Sequence, residues 1–368
     1  MLASARRICQ ITTVHPRFDV RIFNKICLSL VSDFHVTFIV ADGRGDEIIK
    51  NVTIIDAGRR RSSRLKRILF TSLSVYRRAV ELDCEVFHFH DPEFLFYALK
   101  LSNKGKKVIY DVHEDVPKQT LSKDYIHPAF RFIIAKMIKL TENYISSRLY
   151  AVVTATPNIN ERFQRINKRS ININNYPEKV SENSIPFHDR SGICYIGSIS
   201  RIRGIKEIVE SLSNVDTCLN LAGDFESEDF KEELIYEKNW KKVNYYGIVD
   251  PQGVIEILNI SQVGLVTFLP EPNHIEAQPN KMFEYMAAAL PLIASNFPLW
   301  KEIVEGNNCG ICVNPANPED ISNAINFLLV NRAIAEEMGK NGVKAVNEKY
   351  NWQSEKKKLL TLYSSLFQ

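Results

Sequence analysis

Short apolar runs rich in β-branched residues alternate with longer amphipathic stretches along this chain, and this alternation constrains its fold most. Residues 8–14, 36–41 and 85–89 have the character of strands, whereas 65–82 carries apolar residues three and four positions apart, which is the helical spacing. Strands that alternate with helices form a parallel sheet with helices on both faces. We therefore predict an α/β fold.

The same alternation occurs twice. After residues 174–191, which are rich in Asn, Pro, Ser and charge, strand-like runs return at 192–195, 217–222, 243–246, 263–268, 290–294 and 310–313. We predict two Rossmann-like parallel-sheet domains at 1–175 and 190–350, a linker at 176–189, and a C-terminal helix at 351–368 that packs back toward the first domain. Such sheets bind ligands at the carboxyl ends of their strands, so we expect functional residues there, on both sides of an interdomain cleft.

Composition narrows the class of protein. The 368 residues are 45% hydrophobic and 24% charged, which is enough apolar material for two cores. Seven cysteines scattered through apolar runs indicate reduced thiols, and we interpret Cys309 and Cys312 as structural. The net charge of +4 is too small to imply nucleic acid, and no apolar run approaches the roughly 20 residues of a membrane span. We predict a cytoplasmic protein that does not bind nucleic acid.

Two glutamates in the segment 270–300 are candidates for ligand binding. Glu284 lies in the first turns of a predicted helix, and Glu276 lies in the loop before it. A helix N-terminus favours a phosphate, a carboxylate can accept hydrogen bonds from ribose hydroxyls, and Lys281 adds positive charge where a diphosphate can rest. The spacing of the two glutamates by itself is also compatible with an ordinary solvated loop.

A longer motif surrounds these residues: the stretch 278–295 is QPNKMFEYMAAALPLIAS. Other segments of note are HPRFDVRI at 15–22, HFHDPE at 88–93, DVHE at 111–114, YIGSISRIRGIK at 195–206, LAGD at 221–224 and NYYG at 244–247. Together they resemble retaining glycosyltransferase family 4, whose members have the two-domain GT-B fold, over nearly the whole chain. The combination looks most like the branch that builds bacterial O-antigens, capsules and other surface polysaccharides.

The resemblance implies roles for the two glutamates. Glu284 matches the residue that holds the ribose of a nucleoside diphosphate sugar in the family. Glu276 matches the residue that contacts hydroxyls of the transferred sugar. The implied activity is hexosyl transfer from a nucleotide sugar to a saccharide acceptor.

The resemblance also implies a diphosphate site, with one departure from the family pattern. Family members often have Gly-Arg after the first strand of the second domain, and Lys-Gly several residues later. Here Ser198 follows Gly197, and Arg203 takes the position of the lysine. We assign the diphosphate to Arg203 first and to Arg201 and Lys281 second, because such groups neutralise a developing negative charge. The remaining donor-binding predictions are Gly197, Ser198 and Asn280.

His113 follows a predicted strand of the first domain and matches the family's histidine that faces the donor sugar. The resemblance implies that it binds a sugar hydroxyl or stabilises the reacting centre, with Glu276 as the second catalytic residue. A buried histidine with a structural role is the alternative. The family implies a front-face mechanism in which the leaving diphosphate helps to deprotonate the acceptor, so we nominate no general base.

A second group of polar residues lies at another strand end. His88, His90 and Asp91 could suggest a metal site. However, the second domain has no Asp-x-Asp triplet, and the family works without metal. We expect no metal and no other cofactor, and we interpret His90 and Asp91 as structural or acceptor-side residues.

The first loop, residues 14–19, has no glycine pair, unlike the loop of many family members. Without a close backbone approach, side chains must contact the substrate, and we nominate Arg17, Asp19 and Arg21. An alternative for Asp19 is that it caps the helix that follows.

The run Arg59–Arg67 is strongly basic, and Ile68, Leu69 and Phe70 follow it. Such a segment can face an anionic lipid leaflet at about 1 kcal/mol per basic residue, or it can be a solvated helix face. The implied acceptor is a saccharide on a polyprenyl diphosphate, which would bring the enzyme to the inner face of the plasma membrane.

Two other functions are compatible with the sequence. A nucleotide-sugar 2-epimerase of the non-hydrolysing type shares the two-domain architecture, and would act on the donor without an acceptor. A non-catalytic subunit that binds a nucleotide sugar is the second alternative. The paired glutamates favour a transferase over both.

Overall fold

The computed structural model describes residues 6–121, 126–178 and 185–367. Two compact units are present: Met1–Asn175 with Trp352–Gln368, and Tyr176–Asn351. The second unit is thus one continuous piece of chain, and the first is not. The predicted linker at 176–189 includes residues 179–184, which lie outside the described residues.

The first unit contains an eight-stranded sheet in the order β3-β4-β2-β1-β5-β6-β7-β8. All neighbouring strands pair in parallel except β3 with β4. The strands are β1 Arg7–Ile11, β2 His35–Val40, β3 Glu47–Ile49, β4 Val52–Asp56, β5 Val86–Phe89, β6 Lys107–Val112, β7 Ala151–Thr154 and β8 Ser170–Asn172.

The second unit contains a six-stranded parallel sheet in the order β11-β10-β9-β12-β13-β14. In order along the chain this is 3-2-1-4-5-6, the strand order of a Rossmann fold. The strands are β9 Ile193–Ile196, β10 Leu219–Ala222, β11 Val243–Tyr245, β12 Val263–Val266, β13 Leu292–Ser295 and β14 Gly310–Val313. The predicted α/β fold is confirmed.

Helices connect the strands in both units. In the first unit they are α1 Leu28–Leu30, α2 Arg64–Lys66, α3 Ser72–Glu81, α4 Leu95–Asn103, α5 Val116–Leu121, α6 Pro128–Ser146 and α7 Pro157–Gln164, with π-helical turns at Val20–Cys27 and Arg67–Thr71 and a 3-10 turn at Pro92–Phe94. From the second unit onward they are α8 Ile205–Ser211, α9 Glu228–Tyr236, α10 Pro251–Ile260, α11 Asn280–Ala287, α12 Pro298–Val304, α13 Pro318–Val330, α14 Arg332–Glu348 and α15 Trp352–Ser365, with 3-10 turns at Phe187–Asp189, Arg201–Arg203, Leu212–Asn214 and Lys238–Lys242. Every helix among the described residues is too short or too polar to cross a lipid bilayer.

Local sequence explains where these elements form. All four residues of β5, β7 and β12 are buried, as expected for strands with helices on both faces. Helices begin at side chains that accept a hydrogen bond from the first turn: Thr156 caps α7, Ser227 caps α9 and Asp250 caps α10. In α7 and α10, proline occupies the first turn, where its missing N–H costs nothing.

The C-terminal helix α15 packs into the first unit. Trp352, Leu359 and Tyr363 are buried together with the residues that cover one face of the first sheet. Trp352 Nε1 donates to Ser29 Oγ at 3.1 Å, and Glu355 Oε2 accepts from the Asn174 backbone N–H at 2.8 Å. The last helix of the chain therefore completes the core of the first unit.

The strand order places one crevice in each sheet. In the first sheet, β1 and β5 are neighbours, but the chain continues from β1 to β2 on one side and from β5 to β6 on the other. In the second sheet, the connections after the neighbouring strands β9 and β12 diverge in the same way. At such a switch point the loops diverge and open a ligand site at the carboxyl ends of the strands. The loops after β1 and β5, and those after β9 and β12, are therefore the positions where a ligand is expected.

Candidate active site

The loop after β9 approaches helix α11 closely. Gly197 has a φ of +137°, and a Cβ there would lie 2.6 Å from Lys281 Nζ and 3.5 Å from an Arg203 nitrogen. Gly204, with a φ of +70°, lies so near β12 that a Cβ would meet the Thr267 carbonyl oxygen at 2.0 Å. Both positions therefore require glycine. Because these glycines allow close packing, Arg203 and Lys281 come together at the switch point.

Lys281 is a buried basic side chain of the second unit. Its Nζ has no hydrogen-bond partner among the described residues. It lies 3.7 Å from the centre of the Tyr195 ring and 5.2 Å from that of Phe268, and the Arg203 guanidinium lies 5.3 Å from the same Phe268 ring. Buried ammonium groups normally have a hydrogen-bond or ion-pair partner, because burying one without a partner costs on the order of several kcal/mol of folding free energy.

The electrostatics of this group favour an anion. Burial and the neighbouring charge of Arg203 lower the pKa of Lys281 well below its ordinary value, and the charge of Glu284 acts in the opposite direction. A diphosphate next to both cations would reverse the effect of burial and satisfy Nζ. The arrangement can therefore bind an anionic group at the start of α11.

The two predicted glutamates lie on either side of the first turn of α11. Glu284 is exposed on the helix, three residues after Lys281, and Glu276 is half-buried in the preceding turn. The loop between them is held in place, since Trp300 Nε1 donates to the Ala277 carbonyl at 2.7 Å. Their roles toward ribose and sugar hydroxyls stay predictions.

Three further predicted donor residues have clear positions. Asn280 is the exposed first residue of α11. The Ser198 carbonyl accepts from the Tyr195 hydroxyl at 2.9 Å, which fixes the loop after β9. Arg201 differs from the expectation, because its guanidinium forms a salt bridge with Glu233 and stacks 4.6 Å from the centre of the Phe230 ring. Arg201 therefore has a partner within the protein, whereas Lys281 and Arg203 both lie next to Gly197 and Phe268.

In the first unit, His113 follows β6 and joins a network of polar side chains. Its Nε2 lies 3.2 Å from Asp111 Oδ2 and 3.2 Å from His90 Nδ1. His90 Nε2 lies 3.0 Å from Gln10 Oε1, and Gln10 Nε2 donates to the Tyr363 hydroxyl at 2.7 Å. A continuous series of hydrogen bonds therefore connects α15 to His113.

Asp111 is the fully buried centre of this network. Arg21 binds it with two nitrogens, at 2.7 and 2.9 Å. Burial alone would raise the pKa of Asp111, but the charges of Arg21 and His113 and the hydrogen bonds from the histidines hold it well below its ordinary value. Asp111 is thus a carboxylate that orients His113, and Arg21 is its counter-ion and not a freely accessible substrate ligand.

The expectation that Arg17 contacts substrate does not match the structure. Its side chain is only 2% exposed, and its guanidinium binds Asp42 at 2.7 and 2.8 Å, Glu47, and the Gly45 carbonyl at 2.9 Å. We correct its role to a structural one: with every arm of the guanidinium engaged, it fixes the first loop against the residues that follow β2.

Asp19 caps the helix that follows, which was the alternative to substrate contact. Its Oδ1 accepts from the backbone N–H groups of Arg21 and Ile22 at 2.9 Å. The other oxygen faces His15, and the pKa of Asp19 is lowered to about 2, because that hydrogen bond and the backbone N–H of Ile22 outweigh burial.

His15 is a residue of this site that sequence reasoning did not nominate. Its ring lies 5.0 Å from that of His113, and its nitrogens lie 3.5 Å from Asp19 and 3.3 Å from Asp91. Burial opposes its charge, but the hydrogen bond to Asp19 and the charges of Asp91 and Asp19 raise the pKa of His15 above its ordinary value. Its place at the head of the segment HPRFDVRI was the available signal.

Asp91 and His90 hold neighbouring loops together. Asp91 is buried and accepts from the Thr12 hydroxyl at 2.7 Å and from the Thr13 backbone N–H at 2.6 Å. These bonds join the loop after β5 to the loop after β1. Both residues therefore have structural partners, whatever they contribute to an acceptor.

One group of side chains in the first unit has metal-ligand spacing. Ligand atoms of His88, His90 and Asp111 all lie within 4.8 Å of one another. Burial lowers the pKa of both histidines and so favours their neutral forms. A cation bound here would lie next to the guanidinium of Arg21, which already neutralises Asp111. The absence of a metal stays a prediction.

The candidate donor site lies in a part of the chain that resembles a known family. Residues 178–345 match the family described as Glycosyl transferases group 1. The matched residues include the loops after β9 and β12 and the helix α11. The chain carries a glycosyltransferase group 1 domain. The chain spans about half the length of the first curated relatives it matches.

Several relatives are described as glycosyltransferases. An uncharacterized glycosyltransferase of Methanocaldococcus jannaschii is 26% identical over 180 residues, 48% of this chain and 45% of that protein. The D-rhamnosyltransferase WbpZ of Pseudomonas aeruginosa is 21% identical over 73% of this chain and 71% of its own length. The capsular polysaccharide biosynthesis glycosyltransferase CapM of Staphylococcus aureus is 24% identical over 48% of this chain and 47% of its own. The epimerase alternative has no support among these findings.

Alignment with solved structures shows that the chain has a GT-B fold. Sucrose-phosphate synthase from Thermosynechococcus elongatus aligns with a TM-score of 0.78 at 19% identity, over 98% of this chain and 99% of that one. Anabaena HepE, in complex with UDP and glucose, aligns with a TM-score of 0.74 at 13% identity, over 98% of this chain and 100% of that one. The predicted GT-B architecture of two Rossmann-like sheets is confirmed.

Proposed function

We propose that this protein is a retaining glycosyltransferase of the hexosyltransferase type, which moves a sugar from a nucleoside diphosphate sugar to a saccharide acceptor. The observation that carries the proposal is the buried Nζ of Lys281, which lies beside Arg203 at Gly197 and has no hydrogen-bond partner within residues 6–121, 126–178 and 185–367. Two basic side chains at a Rossmann switch point fit a diphosphate better than any neutral ligand. The UDP complexes of the structural neighbour HepE agree with this choice of ligand.

In this proposal the second unit binds the donor. Arg203 and Lys281 bind the diphosphate, assisted by the backbone at Gly197 and Ser198 and by the first turn of α11 at Asn280. Glu284, one turn further along the exposed face of α11, accepts hydrogen bonds from the ribose hydroxyls. Glu276 binds hydroxyls of the transferred sugar from the preceding loop.

The transfer step breaks the bond between the anomeric carbon and the diphosphate oxygen. The acceptor hydroxyl oxygen forms the new bond on the same face of the sugar, and its proton passes to the departing diphosphate. Arg203 and Lys281 stabilise the negative charge that develops on the diphosphate, so that the step needs no metal. His113, oriented by Asp111, stabilises the reacting sugar.

For the acceptor we propose a saccharide on a polyprenyl diphosphate, used in the synthesis of a bacterial surface polysaccharide such as an O-antigen or capsule, at the cytoplasmic face of the plasma membrane. The sequence resemblance to that branch supports this choice, and so does the capsular polysaccharide function named for CapM.

A thermal-shift screen across nucleoside diphosphates tests the donor site. A ligand that binds only the folded protein at about 100 times its Kd stabilises it by about 2.7 kcal/mol. We expect at least one diphosphate to raise the Tm of the wild-type protein, and Lys281→Met to remove this shift. The unliganded variant should be at least as stable as wild type, because an unpaired buried amine has been removed.

Arg201→Gln is the matched control. It removes a guanidinium from the turn that also carries Arg203, but this guanidinium binds Glu233 within the protein. We expect this variant to keep the ligand-induced shift. If no nucleoside diphosphate stabilises the wild-type protein, or if Lys281→Met responds as well as wild type, the proposed donor site is wrong.

A further inference from the structure

Helix α6 of the first unit turns an apolar face to solvent. Phe130, Ile133, Met137, Leu140 and Tyr144 are each 53–63% exposed, and we call them the α6 stripe. Their spacing of three and four residues places them along one side of the helix, whereas Ala135, Glu142, Ile145 and Ser146 on the other side are buried. Contiguous exposed apolar surface of this kind marks an interaction site.

A second set of exposed apolar side chains lies on the neighbouring helices. Leu65, Leu69 and Phe70 precede α3 and are 72%, 58% and 56% exposed, and Phe96 in the first turn of α4 is 56% exposed. Arg67 lies between these residues and binds Glu93 at 2.8 Å, immediately before α4. The segment 64–71 therefore lies beside the start of α4.

These helices begin at one edge of the sheet. Ser102 Oγ, near the end of α4, donates to the Arg148 carbonyl just after α6 at 3.0 Å, so the two helices run in the same direction with their ends together. Helices that follow parallel strands begin at the carboxyl ends of those strands. The segment 64–71, Phe96 and the first turns of α6 thus lie at the same edge of the sheet as His113.

Positive charges predominate in the segments that carry this apolar surface. Residues 59–71 contain Arg59, Arg60, Arg61, Arg64, Lys66 and Arg67 and no acidic residue. On α4 and α6, Lys100, Lys136 and Lys139 are exposed. Glu93 offsets the charge of Arg67 and also lies 3.8 Å from Arg64, whereas Glu142 is paired with Arg162. The six basic residues of segment 59–71 still outnumber this one carboxylate.

We propose that the α6 stripe, together with Leu65, Leu69 and Phe70, docks on an anionic lipid bilayer. Apolar side chains enter the interface between headgroups and acyl chains, and the basic rim meets the negative surface. A second copy of this chain is a poorer occupant, since a two-fold interface would set the same basic rim against itself. The proposal rests on the proposed function to the extent that docking brings His113 toward a lipid-linked acceptor.

Flotation with vesicles tests this surface on the full-length protein. The vesicles are phosphatidylcholine alone, or phosphatidylcholine with phosphatidylglycerol. We expect wild type to float with the anionic vesicles and to be partly released by salt. The triple variant Ile133→Gln, Met137→Gln, Leu140→Gln should have a partition coefficient onto anionic vesicles that is lower by at least about tenfold, because the three apolar side chains that would leave water on binding have been replaced by polar ones.

The matched control carries three similar substitutions on exposed helical positions of the second unit: Ile235→Gln, Ile255→Gln and Val330→Gln. It should float like wild type. The proposal is overturned if wild type binds neither vesicle, if the α6 variant floats like wild type, or if the α6 substitutions instead dissociate a dimer seen by sedimentation. Nucleoside diphosphate binding is measured on the same samples. If the protein binds the nucleotide but does not bind vesicles, only the membrane proposal is contradicted. If it binds vesicles but does not bind the nucleotide, only the proposed function is contradicted.

Discussion

At the scale of single residues, the three predicted diphosphate cations have different surroundings. Arg201 and Arg203 are two positions apart on one short turn, yet Arg201 binds Glu233 while Arg203 lies over Phe268 toward Lys281. Spacing along the chain could nominate all three cations. It could not rank them, because Glu233 lies on a different helix, α9, and reaches Arg201 only through the fold.

The depressed pKa of Lys281 predicts that ligand binding is coupled to proton uptake. Burial and Arg203 hold this pKa well below its ordinary value in the free protein, and a bound diphosphate raises it. Between the two pKa values the complex holds more protons than the free protein. The affinity therefore falls as pH rises, by up to about tenfold per pH unit.

Isothermal titration in two buffers of different ionisation enthalpy measures this uptake. A phosphate group with a pKa of about 6 is fully ionised above pH 8, so uptake in that range comes from the protein. An affinity that is independent of pH, with no difference between the buffers, would show that Lys281 does not change its protonation on binding.

At the scale of elements, α15 belongs to the core of the first unit. Tyr363 is fully buried, and its hydroxyl accepts from Gln10 Nε2 at 2.7 Å and lies 2.8 Å from His88 Nδ1. A helix predicted at the end of the chain thus contacts the first and fifth strands through polar atoms. The pattern of apolar residues predicts the helix but not these hydrogen bonds, which depend on residues more than 270 positions away.

We predict that Tyr363→Phe lowers the free energy of unfolding by about 1–3 kcal/mol, because it leaves buried polar atoms of Gln10 and His88 without a partner. Urea denaturation measures the change. Tyr144→Phe is the control, since Tyr144 is 56% exposed and keeps its ring against Arg148. Equal stability of the Tyr363 variant and wild type would mean that the hydroxyl contributes nothing to the core.

Some elements carry too little local signal to be predicted. The strands β3 and β8 have three residues each at the two edges of the first sheet, and none of these residues is fully buried. The first loop illustrates the same limit. Arg17 was assigned to substrate from its position, but Asp42 and Glu47, which lie 25 and 30 residues away, bind its guanidinium.

At the scale of the whole molecule, the donor-side residues all lie in one continuous unit. Arg203, Lys281, Glu276 and Glu284 and the rings of Tyr195 and Phe268 belong to Tyr176–Asn351, which has its own apolar core. The first unit is discontinuous, because it needs α15 to cover its sheet.

We therefore predict that the fragment 176–351 folds by itself and binds the same nucleoside diphosphate as the full chain. A cooperative thermal transition and a ligand-induced rise in Tm are the measurements. In contrast, the fragment 1–175 should fail to unfold cooperatively unless residues 352–368 are supplied, since its sheet would expose apolar surface. If the fragment 176–351 folds but does not bind the nucleoside diphosphate, while the full chain does bind it, the first unit supplies essential contacts to the donor.

The sequence by itself determined the class of fold, the two Rossmann-like sheets, and the segments that hold the candidate donor site. These follow from local periodicity and from residues close together in the chain, such as Lys281 and Glu284 on one helix. Only the tertiary structure decided which charges have partners. It pairs Arg17, Arg21 and Arg201 with distant carboxylates, and it places Lys281 beside Arg203 with no hydrogen-bond partner in the described part of the chain. It also exposes the apolar side of α6 to solvent. Pairing and exposure depend on which elements meet in space, and parallel crossovers bring together residues that are far apart in the chain.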